Sequence, residues 1–213
     1  MSKQGNRGLL WSFVVIFLVL LFDQILKIWV KTVMTIGEEI PVIGTWFNLL
    51  FIENEGMAFG WMGGGGTMKL VLSLFRIVAV VVLFVIMIRL AKKNTKFGVL
   101  FGIALITAGA LGNIIDCVFY GRIFSESTYQ QVATLFPDGG GYAGWLHGRV
   151  VDMLYFPIID VARENASWLP DFFFGPDGRF IFFRPIFNFA DAAITTGVFY
   201  MLIFQWKWLK NLN

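Results

Sequence analysis

Four apolar stretches, residues 9–30, 68–90, 97–120 and 186–206, constrain this chain more than any other feature. At 1.5 Å per residue, a helix of about 20 residues crosses a hydrocarbon core of roughly 30 Å. Every stretch reaches that length. The sequence therefore predicts a membrane protein, mainly α, with four transmembrane helices in one domain over residues 1–213. Only 15% of the residues are charged while 57% are hydrophobic, against about 25% charged in an ordinary soluble domain. The first stretch follows Lys3 and Arg7 as a secretory signal would. It is too long for a signal core and has no small-x-small cleavage site after it, so it reads as a retained span.

Residues 31–67 and 121–185 are left outside the membrane. The first segment carries Ile40-Pro41-Val42-Ile43 and Trp46 to Ile52, short β-prone runs broken by Pro and Gly. They predict a small extracytoplasmic β element after helix 1, followed by a glycine-rich loop through Gly63 to Gly66. The second is a long extracytoplasmic insert between helices 3 and 4. Its Trp145, Tyr155, Trp168 and Phe172-Phe173-Phe174 predict an interfacial surface. Lys3, Arg7, Arg89, Lys92, Lys93, Lys96, Lys207 and Lys210 all fall on one side of a four-span chain, with no acid among them. Both termini are thereby predicted to be cytoplasmic. The pI near 9.1 follows from this topology. No basic face interleaved with stacking aromatics points to a nucleic-acid partner.

Against that background, Asp191 in Phe187-Asn188-Phe189-Ala190-Asp191-Ala192 stands out. A charge within an apolar span costs roughly 2.5–3.5 kcal/mol on insertion scales, so an acid there marks function by default. The predicted topology puts Asp23, Arg76, Asp116 and Asp191 at one depth, a polar layer below the outward surface. One cysteine, Cys117, and one histidine, His147, rule out an internal disulfide and argue against His-rich zinc sites. No HExxH or GxSxG is present, and the Lys69/Ser73 spacing is common by chance. Carboxylates and asparagines remain. Two carboxylates about 3 Å apart cannot both ionise, so one keeps a proton while the other accepts one from water. The candidate partner for Asp191 is Asp152, in Val150-Val151-Asp152-Met153. Other readings stay open elsewhere: Asp23 with Lys27 as a structural i,i+4 pair, Asn54 as a turn residue, and Asn113 with Asp116 as an interhelical polar contact.

Five motifs, in order, resemble those of the lipoprotein signal peptidases, or type II signal peptidases, bacterial four-span aspartic endopeptidases. They are Asp23-Gln24 with Lys27, Asn54-Glu55-Gly56-Met57-Ala58-Phe59-Gly60, Gly112-Asn113-Ile114-Ile115-Asp116, Val150-Val151-Asp152 and Phe187-Asn188-Phe189-Ala190-Asp191. The resemblance implies that Asp152 and Asp191 are catalytic. It also implies that Asn54, Gly56, Asn113, Asp116 and Asn188 support the pair or bind substrate, while Asp23 and Lys27 buttress helix 1. The implied substrate is a diacylglyceryl-modified prolipoprotein, cut before its lipobox cysteine, with no metal or organic cofactor. A monomer in the bacterial inner membrane is implied, in contact with lipid, its active site toward the outer leaflet. Two departures stand out. The family usually has an arginine after the Gly-Asn-x-x-Asp aspartate, where this chain has Cys117, and Arg122 or Arg149 are the candidates to replace it. Residues 121–148 and the stretch from Asp152 to Asp191 are also longer than in the family, predicting a lid or interfacial platform. The competing readings are a small transporter or proton-coupled channel component, and a non-catalytic membrane scaffold.

Overall fold

The computed structural model describes residues 2–55, 65–166 and 168–211. Helix α1 (Lys3–Val33) begins where the Ser2 side chain accepts the Gly5 amide and ends where Met34 turns extended, with Lys31 in its last turn. It is longer at both ends than its apolar stretch. A hairpin follows, β1 (Glu39–Ile43) and β2 (Phe47–Asn54), then α2 (Gly65–Lys92). Helix α3 (Phe97–Ile115) runs into a π-turn (Asp116–Tyr120) and a last α turn, α4 (Gly121–Ile123). After an irregular segment come β3 (Val150–Tyr155), β4 (Ile159–Ala162), β5 (Arg179–Phe182) and β6 (Ile186–Phe187). Helices α5 (Phe189–Phe204) and α6 (Trp206–Lys210) close the chain.

Three helices are long and apolar enough to cross a membrane among the described residues: Lys3–Val33, Lys69–Lys92 and Phe97–Ile123. The fourth expected span, 186–206, holds an apolar helix that starts later than hydropathy predicts. Its first two residues form β6, Asn188 caps the helix, and α5 is only 16 residues long. The capping residue overrides hydropathy here, because an Asn side chain that accepts an amide three residues on fixes the start of a helix.

α3 is the axis of the bundle. Buried residues make up 61% of its apolar window, against 17% for α1 and for α2. The bundle core joins Ile16 of α1, Met87 and Ala91 of α2, Val99 to Ala108 of α3 and Met201 of α5. α5 packs on α3 at Gly109, where a Cβ would stand 2.1 Å from the Ala190 carbonyl oxygen. The first turn of α5, and with it Asp191, is thereby drawn against α3.

The β element is larger than the first extramembrane segment. β1-β2-β3-β6 form one antiparallel sheet, so the strands come from both segments. Under it lies a second core of Val30, Met34, Phe51, Tyr120, Phe124, Ala133, Val151 and Met153. Residues 121–148 pack in part against this core. Phe124 and Ala133 are buried in that core, and the segment lies back along the end of α3. Gly148 N–H donates to Cys117 O (2.8 Å) and Ala143 N–H to Gly121 O (2.8 Å), taking carbonyls near the π-turn. Only glycine fits at 148, since a Cβ there would be 2.0 Å from the Asp116 carbonyl oxygen.

Candidate active site

Asp152 reaches the site through strand pairing. Ile52 stands opposite Asp152 and Asn54 opposite Val150, so Asn54 and Asp152 project from the same face of the sheet. The Asn54 amide donates to Asp152 Oδ2 at 3.4 Å. Asp152 is 3% exposed. Asp191 comes from the first turn of α5, where Asn188 Oδ1 accepts its amide (2.9 Å) and its own Oδ2 accepts the Asn188 amide (3.4 Å), a reciprocal capping box. The other Asp191 oxygen accepts the Asn113 side-chain amide at 2.8 Å.

Asn188 joins the two acids. While its oxygen caps the helix beside Asp191, its amide nitrogen donates to Asp152 Oδ1 (2.7 Å) and to Asn113 Oδ1 (3.1 Å). The result is two carboxylates from unrelated elements held against one fully buried asparagine. Burial, and then the charge of Asp191, push the Asp152 carboxyl up to about 7, against the pull of the Asn188 and Asn54 amides.

Behind this pair sits a second, drier layer. Lys27 Nζ lies 3.0 Å from Asp23 Oδ2, 2.8 Å from Asp116 Oδ2 and 2.9 Å from Asn113 Oδ1. All three charged side chains are at most 1% exposed. Each acid also holds a backbone amide of the element that carries a member of the pair. Asp23 Oδ1 accepts Ala190 N–H (2.9 Å), an otherwise unpaired donor at the α5 N-terminus, and Asp116 Oδ2 accepts Val151 N–H (3.3 Å), next to Asp152. Gln24 completes the layer, donating to Asp116 Oδ1 (3.0 Å) and accepting from the Tyr120 hydroxyl (3.1 Å). Asp23 and Lys27 do form the i,i+4 pair expected, but as part of this larger cluster.

The remaining candidates fall elsewhere. Arg149 is committed to Glu55 (3.0 Å), Glu53 (3.1 Å) and Glu126 (3.1 Å) at the sheet edge. Arg122 lies over the Trp145 ring at 5.8 Å. The guanidinium that reaches Cys117 is that of Arg76, whose Nη1 lies 3.5 Å from the sulfur. The arginine beside Cys117 thus comes from α2, while Arg122 and Arg149 make the contacts given above. Gly56 lies outside the described residues. Ser73 donates to the Leu146 carbonyl and Lys69 pairs with Glu55, so they form no Ser-Lys couple. The His147 ring nitrogen Nδ1 donates to the Trp145 carbonyl oxygen at 2.8 Å, in its own loop. Among the described residues, no three of His, Cys, Asp and Glu are grouped to hold a metal ion.

Lys31 and Tyr120 were not singled out from the sequence, and Gln24 only as part of the first motif. Lys31 is fully buried, pairs with Glu53 and donates to Ser127 Oγ (2.8 Å). A signal for it exists, since Asp23, Lys27 and Lys31 recur every four residues on one face of α1.

Residues 15–207 match the model of a family described as signal peptidase (SPase) II. The chain is 49% identical over 189 residues to the lipoprotein signal peptidase of Porphyromonas gingivalis (strain ATCC 33277), covering 88% of this chain and 79% of that protein. It is 35% identical over 192 residues to the lipoprotein signal peptidase of Amoebophilus asiaticus (strain 5a2), covering 88% and 75%. Two solved bacterial membrane enzymes, obtained by the in meso method, are similar in fold. Their TM-scores are 0.56 and 0.53 at 25% and 26% identity, over 95% and 90% of this chain and 91% and 90% of theirs.

Proposed function

The chain belongs to the signal peptidase II family, and from that premise we propose that it is an aspartic endopeptidase whose catalytic pair is Asp152 and Asp191. As a family member it is a bacterial membrane peptidase that removes signal peptides from prolipoproteins, and the transporter and scaffold readings fall with that assignment. The aspartic reading rests on one observation above all: both carboxylates accept from Asn188, that of Asp152 from its side chain and that of Asp191 from its backbone amide, and Asp152 is pushed up to about 7 by burial and by Asp191.

Near neutrality such a pair carries about one proton and titrates as a unit. Asp152 is the member that holds it. Asp191 is then the base that accepts a proton from water as the oxygen attacks the scissile carbonyl, while Asp152 protonates the carbonyl oxygen. Collapse of the tetrahedral intermediate returns a proton to the leaving amine. Asn188 and Asn113 hold the two carboxyls in register throughout, and Lys27 with Asp23 and Asp116 fixes the backbones that carry them.

The substrate we assign is a diacylglyceryl-modified prolipoprotein cut before its lipobox cysteine, reached by a monomer from surrounding lipid. The inner membrane, with both termini cytoplasmic and the pair toward the outer leaflet, fits the ends of the bundle. Ser2 bonds Asn94 in the α2–α3 turn, so Lys3, Arg7, Lys92, Lys93 and Lys96 gather at the end opposite the sheet. The spans follow the helices, with the extracytoplasmic segments between them.

The test is cleavage of a lipidated lipobox precursor by Asp152→Asn and by Asp191→Asn. Asn is nearly isosteric yet cannot share the proton. Both variants are expected to fold and to lose turnover by at least about a thousandfold. Full turnover by either one overturns the assignment of the pair.

A further inference from the structure

The β4–β5 hairpin stands apart from both cores. Its strands form a two-stranded sheet of their own, paired Ile159↔Phe182, Asp160↔Ile181, Val161↔Phe180 and Ala162↔Arg179. Facing residues share a side and successive residues alternate. One face is therefore Ile159, Val161, Phe180 and Phe182, and the other carries Asp160 and Arg179, whose ion pair at 2.7 Å confirms the division. The loop extends the apolar face, since Phe173 stands edge-on to Phe180 (6.0 Å) and stacks beside Phe172 (4.3 Å). Its edges are bare, with Phe172 80% exposed, Phe182 53% and Ile159 47%. A two-stranded hairpin is marginal alone in water, and a contiguous exposed apolar patch marks an interface.

Its attachment says what lies there. The Phe183 ring packs on Phe187 (5.9 Å), Phe187 on Phe156 (5.7 Å), and Phe156 on Phe47 (4.6 Å). Phe187 immediately precedes Asn188, the cap of α5. Phe182 and Asn188 are six positions apart, which bounds their distance at about 20 Å. The hairpin thus leaves the sheet next to the start of an apolar helix whose outer residues, Phe199, Ile203 and Phe204, are exposed. Its charges lie off the apolar face or at its margins: Arg163 pairs with Asp171 and covers the Phe174 ring, and Arg184 forks onto Asp177 with both bonds at 3.2 Å. Trp168, 80% exposed, sits in the same loop. Aromatic rings rimmed by arginines are the composition of a headgroup-level contact.

We propose that residues 159–182 form an interfacial anchor, with the Ile159–Phe180–Phe182 face and Phe172 lying at the headgroup–acyl boundary of the leaflet where α5 begins. The occupant of the face is phospholipid. The anchor depends on the chain being a membrane protein and not on the catalytic pair, so an inactive Asp152→Asn protein is expected to show it equally.

The test places a nitroxide at Phe172→Cys, Phe182→Cys or Asp160→Cys, in a Cys117→Ala background, in the full chain reconstituted in phosphatidylethanolamine–phosphatidylglycerol vesicles. Power saturation with oxygen and with a water-soluble nickel chelate reads depth. Positions 172 and 182 are expected to favour oxygen and position 160 the chelate. Equal chelate access at all three overturns the anchor, as does shielding of 172 and 182 from both reagents, which would mean a protein or a second copy covers the face. An unlabelled variant, Phe172→Glu with Phe182→Glu, provides a second reading. Trypsin in the vesicle medium is expected to cut its hairpin at least about tenfold faster than that of the unmodified chain, and equal rates refute the proposal.

Discussion

Replacing Asp152 by Asn should do more than stop catalysis: it should remove the pH dependence of this residue's contribution to stability. Asp152 is pushed from 3.8 to about 7 in the folded chain. Between those values the folded state keeps a proton that the unfolded chain releases. Its stabilising contribution is complete below the unfolded value and is lost as pH rises through about 7. A shift of about 3 units at 1.36 kcal/mol each makes the buried carboxylate about 4 kcal/mol less favourable above pH 7 than its protonated form below pH 4. Asn carries no such dependence. Its oxygen can still accept from Asn188, while the 3.4 Å bond from Asn54 is lost, at about 1 kcal/mol. The Asn variant should then be about 1 kcal/mol less stable than the native chain at pH 4 and about 3 kcal/mol more stable at pH 8. For about 200 residues this corresponds to a gain of about 10 °C in apparent Tm at pH 8. Thermal unfolding in detergent at fixed scan rate, at pH 4, 6 and 8, measures it. Parallel Tm curves for the two proteins, or a variant that melts lower at pH 8, would refute the idea that burial of this charge opposes folding.

Three other outcomes follow from the same geometry. With Asp152 as the proton holder, kcat/KM for a lipidated precursor should fall as pH rises through about 7, and a rate still climbing at pH 8.5 would reassign the acid. Lys27→Met leaves Asp23 and Asp116, both at most 1% exposed, without their shared cation. A loss of about 3–5 kcal/mol is expected, read as a large drop in Tm that a further Asp116→Asn partly restores. Asn188→Ala removes both the helix cap and the 2.7 Å bond to Asp152. It should cost about 1–2 kcal/mol in stability and lower kcat at least about tenfold with KM little changed, whereas a change confined to KM would make Asn188 a substrate contact.

Hydropathy makes the bundle legible, and polar residues decide where it departs from that reading. The three long helices appear as apolar runs because lipid-facing residues need no alternation. The start of α5 escapes hydropathy, since Ile186 and Phe187 are as apolar as the helix that follows and only the Asn188 side chain ends the strand. β3 is hidden for another reason. Val150 to Met153 are buried on both faces, so the run shows no period of two. The sheet itself depends on pairings such as Asn54 with Val150, nearly a hundred residues apart, which no local pattern encodes. Asp191 was visible because an acid in an apolar run is costly, and Asp23 with Lys27 because helical spacing puts them on one face. Family order, more than local chemistry, pointed to Asp152. Arg76 was legible as a charge in a span but not as the neighbour of Cys117, because that contact depends on how α2 is rotated against α3.

The single ammonium of Lys27 also acts as an interlock. Through Asp23 it grips the first turn of α5, late in the chain, and through Asp116 the inner strand β3, between β2 and β6. A chain halted during synthesis before residue 189 has neither Asp191 nor the helix that presents Ala190 to Asp23. On the proposed pair, a half-inserted copy would be an unarmed one, because Asp191 arrives with the same segment that packs α5 on α3 at Gly109.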